Sequence, residues 1–404
     1  MKLKGAQSVR IVFSTIASLV IACAHADNFN ARNSAMGGVG VASSNYDAAA
    51  LYNPALLTRK ATSDGISIIL PAIGIEASDK EDVIEKLDDL VDIFDELDAA
   101  IDAVDAVAAE SAKDRILSDL AEIDAKPVRI HAGAAIVVAV PGESVGYSFD
   151  VRNSLDLAVL ADFDENDEAV LEDAIFTGDT STIDSDLGSS AVALGASVTE
   201  LVFSFAKNVE MGGRQYSFAV APKYQTVETI LYSQGANDFD SDDFDADDST
   251  LDDSNFNIDI GMALFLNEKV TIGATFKNLI SDEYQTVIDP SSGQSGVYQV
   301  DPTITVGVGY ETSFMSTSVD VDLLPVKSFK RFEDSQFLRA GVELNAANWV
   351  QLRLGVRVDL EDTRENVATV GFGLSPFNIF HIGLTAIAGE NETYGGALEL
   401  KLTL

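Results

Sequence analysis

Apolar residues recur at every second position through the later part of the chain, in runs that each end at a turn. Val270, Ile272, Ala274 and Phe276 share one face, with Thr271, Gly273, Thr275 and Lys277 on the other. Leu352, Leu354, Val356, Val358 and Leu360 alternate with Gln351, Arg353, Gly355, Arg357 and Asp359. At the end, Leu398, Leu400, Leu402 and Leu404 alternate with Glu399, Lys401 and Thr403. A period of two marks a strand with one apolar face. The pattern predicts about fourteen strands, near 66–75, 130–140, 144–152, 199–208, 214–224, 256–266, 269–278, 302–311, 314–323, 336–345, 349–360, 367–374, 379–388 and 395–404.

Alternation alone fits a soluble sandwich as well as a barrel in lipid, and the connections decide between them. Short turns at 141–144, 209–213, 267–268, 312–313, 346–348 and 375–378 alternate with long connections near 76–129, 161–198, 235–255, 279–301 and 324–335. Short turns at one end and long loops at the other belong to outer-membrane barrels. The expected fold is therefore all-β, a transmembrane antiparallel β-barrel of about 14 strands. Asp320 and Asp322, Arg339 and Glu343, and Arg353 and Arg357 would face the lumen from consecutive strands, and His381 would point inward too. They would form either wall-stabilising pairs between neighbouring strands or an ion-selective constriction. Tyr310, Phe314, Trp349, Phe377 and Phe380 gather near the short turns as girdle aromatics do.

The start of the chain has its own grammar. Lys2, Lys4 and Arg10 precede the apolar run Ile11–Ala22, and Ala24-His25-Ala26 follows as an A-x-A cleavage site. Residues 1–26 are thus expected to be a Sec signal peptide, with lipoprotein processing at Cys23 as the alternative. Cys23 is the only cysteine, so cleavage after Ala26 would leave neither a disulfide nor a thiolate metal site. Losing the three basic residues would take the formal charge from −39 to −42. Such a chain repels nucleic acid and anionic surfaces.

Three segments do not read as wall. Residues 27–60 are rich in small side chains and alternate weakly, which suits a plug packed in the lumen, with Met36, Gly37, Gly38, Asn53 and Pro54 as its candidate contact points. Gly38-Val39-Gly40 invites a dinucleotide loop, but no strand precedes it and Ser43 takes the third glycine position. Within 79–125, Val83, Leu87, Leu90, Phe94, Leu97, Ile101 and Val104 form an apolar heptad seam on an otherwise acidic stretch, with a second helical piece near 115–123. Either an internal hairpin or a protein partner would cover that seam. From Asp243, the spacing of Asp243, Asp245 and Asp247 opens like a calcium loop, yet Asp248 replaces its glycine and Ser254 its glutamate. A solvated acidic outer loop is the default there.

Catalytic motifs are few. Gly142-Glu143-Ser144-Val145-Gly146 matches a nucleophile elbow, but the residues after it continue as a strand where a helix is needed. His131 and His381 are the only histidines beyond residue 26, both placed on strands. No enzyme is indicated, and no cofactor is expected.

The segment Ala31–Ala42 with Asn53-Pro54-Ala55 resembles the N-terminal part of FadL-like outer-membrane transporters. That resemblance implies a hatch inside a fourteen-stranded barrel. Val198–Ala206, Pro222–Thr229, Phe276–Leu279, Asp301-Pro302, Val319–Leu323 and Leu352–Arg357 are similar to blocks of the TraF-like, plasmid-transfer-operon barrel family. The organisation expected is a signal peptide (1–26), a plug (27–60) and an outer-membrane barrel (61–404) carrying the acidic helical insertion (79–125). Two functions stay open. One is passage of hydrophobic or amphipathic solutes through a plugged lumen; the other is an envelope interaction protein of conjugal transfer. The corresponding partners are outer-membrane lipid, a hydrophobic small-molecule ligand in the lumen and a protein at the helical insertion, with no nucleic acid.

Overall fold

The structure, a computed structural model, describes residues 29–59, 65–79, 83–124, 126–235, 249–289, 293–347 and 349–404. The signal-peptide reading and Asp243, Asp245, Asp247 and Asp248 of the calcium reading lie outside the described residues.

The strands run β1 (Ser67–Ser78), β2 (Val128–Val140), β3 (Val145–Asp162), β4 (Ser190–Met211), β5 (Arg214–Gly235), β6 (Thr250–Phe265) and β7 (Val270–Lys277). They continue with β8 (Asp282–Gln285), β9 (Val297–Val300), β10 (Thr303–Glu311), β11 (Met315–Asp322), β12 (Phe337–Ala347) and β13 (Val350–Asp359). β14 (Val367–Leu374), β15 (Phe380–Gly389) and β16 (Tyr394–Thr403) complete the series. All but β8 and β9 join a closed antiparallel barrel of fourteen strands, in which β7 pairs with β10 and β1 closes on β16. Closure leaves no open edge, as lipid requires.

The barrel is inside out relative to a water-soluble one. Val308, Val319, Leu352, Leu354, Val370, Leu384 and Leu398 are exposed on the outer surface, whereas Thr275, Ser318, Asp320, Glu343, Thr369 and Glu399 are buried. The aromatic residues Tyr310, Phe314, Trp349, Phe377 and Phe380 are exposed near the short turns. Apolar surface outward and polar surface inward is the arrangement of an outer-membrane-type barrel.

Wall height is uneven. β3 to β6 extend well beyond the spans alternation suggests: β4 reaches back to Ser190 and β5 on to Gly235. Above the membrane their inner faces are covered by protein, so both faces can be apolar and the period of two fades. The covering parts are the β8–β9 hairpin and the 324–335 loop. Phe329 clusters with Leu160, Val192, Leu194 and Leu231 of the extended wall, while Tyr284 packs with Val198 and Val227.

The insertion is a helical hairpin of α3 (Val83–Asp102) and α4 (Ala106–Ile123), the second helix starting well before the 115–123 piece. Val83, Leu90, Leu97 and Ile101 of the seam are buried against Ile116, Leu120 and Ile123, and Phe94 packs beside them. Val104 departs from the seam. It lies in the turn with φ +56° and is 89% exposed. The long 161–198 connection supplies α5 (Asp167–Thr177) and α6 (Ser181–Asp186), whose Leu171, Ala174 and Ile183 join the same cluster.

Candidate functional site: the lumen and its N-terminal segment

Residues 29–59 occupy the lumen. α1 (Ala31–Ser34) is capped by Asn30, whose side chain accepts from the Asn33 N–H, and α2 (Ala49–Tyr52) leads into a 3-10 turn (Pro54–Thr58). Asn53 caps that turn, Pro54 opens it, and the Asn53 amide also donates to the carbonyls of Val41 and Met262 at 2.7 and 2.9 Å. Leu51, Leu56 and Leu57 are fully buried against Ile69, Ala135, Val137, Ala139, Ala206 and Ala219. The lower lumen is therefore apolar where sequence alternation predicts polar; there alanines of the wall receive this segment.

Glycines bring backbone against backbone. A Cβ on Gly355 would stand 2.0 Å from the Gly37 nitrogen, and one on Gly341 would stand 2.2 Å from the Met36 carbonyl oxygen. Met36 is fully buried between these strands, and Gly37 and Gly38 have φ of +75° and +86°. Arg339 passes over Gly38.

The wall charges divide between two tasks. Asp320 accepts the N–H groups of Gly40 and Val41 at 2.7 and 2.9 Å. Glu343 is shared by Arg353 of the neighbouring strand at 2.7 Å and by Arg32 of the segment at 3.0 Å. Asp322 pairs with Arg339 within the wall at 2.8 Å. Arg357 crosses the lumen to Glu76 on β1, so it is no partner of an adjacent strand. His381 stands apart at the short-turn end, its ring nitrogens 2.8 Å from Ser375 Oγ and 3.1 Å from Thr403 Oγ1. Ser144 lies in the turn between β2 and β3 with no helix after it, so the elbow geometry is missing.

Further charges hold the segment without standing out in the sequence. Lys401 pairs with Asp47, Arg59 with Glu311 and Asn30 with Glu399. Burial alone would raise the Asp47 carboxyl, but the Lys401 ammonium and then Arg32 outweigh it and hold it below the ordinary carboxylate range. On the opposite wall, Lys223 bridges Glu200 and Asp259 at 2.9 and 2.8 Å, and Arg152 pairs with the same two carboxylates. Their one legible signal is charge at inward positions of four successive strands.

Above this segment lies a cavity of about 320 Å³, bordered on its far side by Tyr298, Lys327 and Ser328 of the covering loops. That cover is held by Gln299 N–H to the Ser328 carbonyl at 2.9 Å, by Lys330 N–H to the Val297 carbonyl at 3.0 Å, and by the Lys327–Asp301 pair at 2.9 Å. Basic and acidic side chains line the cavity in equal number, although acidic residues outnumber basic ones by 65 to 26 in the sequence.

Among curated proteins none matches the sequence. By fold the chain is similar to the toluene transporter TbuX of Ralstonia pickettii, at 10% identity over 93% of this chain and 97% of that one, with a TM-score of 0.53. It is likewise similar to the P. putida toluene transporter TodX, at 11% identity over 94% and 99% of the two chains, with a TM-score of 0.51. The monoaromatic hydrocarbon channel CymD gives 9% identity over 94% and 99%, with a TM-score of 0.51. At such identity the likeness is one of fold alone. The family model described as "F plasmid transfer operon, TraF, protein" matches residues 50–322, well over half of the chain. The chain belongs to that TraF family, in the form of a closed fourteen-stranded outer-membrane-type barrel.

Proposed function

We propose that this protein, exported on residues 1–26, carries a small solute across the outer membrane, with residues 27–60 as a plug that shifts to let it pass. The observation carrying this reading is how the segment is held. It fills the lumen and packs its leucines on the wall, yet its polar links to the wall, those of Arg32, Gly40, Val41, Asp47 and Arg59 among them, are ion pairs and single hydrogen bonds, with no strand pairing. Such links can break one at a time without unzipping the barrel. The hydrocarbon transport named for the fold relatives supports a transport barrel. The charged cavity favours an amphipathic solute over a bare hydrocarbon.

The test is conductance of the detergent-folded protein in planar bilayers. The intact chain should conduct weakly, and deleting residues 29–59 should open a large, steady pore. Equal conductance with and without the segment would remove the plug from the account.

A second reading, docking of an envelope partner on the helical insertion during plasmid transfer, takes support from the family description. The α3–α4 seam weighs against it, because α4, α5 and α6 already cover that apolar face. Transfer frequency in a strain lacking residues 79–125 separates the two readings.

A further inference from the structure

The outer rim of the cavity holds a basic side chain, Arg129, that no carboxylate pairs among the described residues. Arg129 on β2 is half-buried, lines the cavity, and has its guanidinium carbon 4.4 Å from the centroid of the Phe332 ring in the covering loop. Among the described residues it forms no ion pair, whereas its neighbours are matched. Arg364 pairs with Asp156 at 3.4 Å, and Arg357 with Glu76. His131 sits in register between Glu76 and Asp156, with its Nδ1 3.2 Å from the Leu155 carbonyl oxygen. That carbonyl can only accept, so Nδ1 carries the hydrogen and Nε2 is the ring's other polar edge. The Arg357 Nε–H is buried without an acceptor. Three guanidinium groups and an imidazole thus gather around Glu76 and Asp156, and among the described residues Arg129 is the guanidinium that neither carboxylate pairs.

A guanidinium left without a carboxylate beside a cavity is a fork of donors matched to a planar anion. Phe29, Tyr52 and Phe337 line the same space and offer a small apolar body somewhere to rest. We infer that the cavity between plug and cover binds a compact carboxylate, with Arg129 as its principal partner and His131 and Arg364 beside it. The site admits a solute by its charge, where a hydrocarbon would be admitted by apolar surface alone. For its purpose this assignment rests on the uptake reading above; as a binding site it stands or falls separately.

Benzoate and toluene share a body and differ in charge, which makes them the probes. Calorimetric titration of the detergent-folded full chain should show saturable benzoate binding, and toluene binding at least about tenfold weaker. Arg129→Gln should weaken benzoate by about tenfold. Arg115→Gln, which removes a guanidinium paired with Glu96 on the helical hairpin outside the cavity, should leave it within about twofold. Both variants must keep the heat-dependent gel shift of the folded barrel. No benzoate binding, toluene binding as tight as benzoate, or equal binding by the Arg129 variant would each overturn the assignment. Vesicles loaded with the same proteins separate the two readings. Benzoate bound but not passed sinks the uptake reading and leaves the site, whereas benzoate passed without dependence on Arg129 does the reverse.

Discussion

At the scale of single residues the lumen is governed by contacts too close for a side chain. Wall glycines such as Gly273, Gly309, Gly341 and Gly355 stand where the N-terminal segment leans its backbone on a strand, and Gly355 is the tightest of these because the opposing atoms belong to Gly37 and Met36 backbone. Backbone cannot give way as a flexible side chain does, so Gly355→Ala should displace the segment. The expected outcome is raised single-channel conductance with an unchanged heat-dependent gel shift; a variant as tightly closed as the parent would place the seal elsewhere. Charge makes a second residue-scale prediction. Because the Asp47 carboxyl is held below its usual range by Lys401, its stabilising share is present above the unfolded-state pKa and lost only as pH falls through the lower folded value. Conductance should therefore be level between about pH 7 and about pH 5, rising only under more acid conditions than ordinary carboxylates need. A rise near pH 6 would show that another group controls the segment.

Elements were legible wherever one face meets lipid and the other meets water or polar side chains. β7, β10 to β16 and their turns satisfy that condition, and their alternation survives in the sequence. β2 does not. Ala135, Val137 and Ala139 face the buried Leu51, Leu56 and Leu57, so both its faces are apolar and the strand reads as one hydrophobic run. The upper halves of β3, β4 and β5 blur for the same reason under Phe329 and Tyr284. Among the site residues, Asp320 and Glu343 were readable as inward charges, but their partners Gly40, Val41 and Arg32 lie 279 or more residues away and no local pattern could join them. The heptad seam of α3 was readable because it is local, down to Val104, which φ above zero in the turn removes from it. Since that seam closes on α4 and α5, the hairpin should fail without the barrel. Leu97→Ala removes a fully buried side chain and should cost the hairpin about 2–5 kcal/mol. Limited proteolysis should then cut within 83–123 while the barrel stays resistant. Loss of the gel shift in this variant would mean that insertion and wall fold as one unit.

For the whole molecule, the decisive property is which solvent the outer surface faces. Leu354 and Phe377 are both highly exposed, at 57% and 92%, and in a water-soluble barrel neither would respond much to a charge. The membrane reading separates them by depth. Leu354 lies mid-strand on β13, paired between Val342 and Val370, so it looks into the bilayer core. Phe377 lies in the turn between β14 and β15, at the girdle level. An arginine at the midplane of an outer-membrane barrel costs about 2–4 kcal/mol, and one near the interface about 0–1 kcal/mol. Leu354→Arg should thus lower the folding free energy in lipid vesicles by the larger amount and Phe377→Arg by the smaller, as read from reversible denaturant unfolding. The internal contacts of the barrel are the same for both variants, since each side chain points away from the lumen. A difference between them therefore reports on the surrounding medium alone. Equal, small effects at the two positions would mean that water bathes the whole belt, and the uptake role would fall with the membrane.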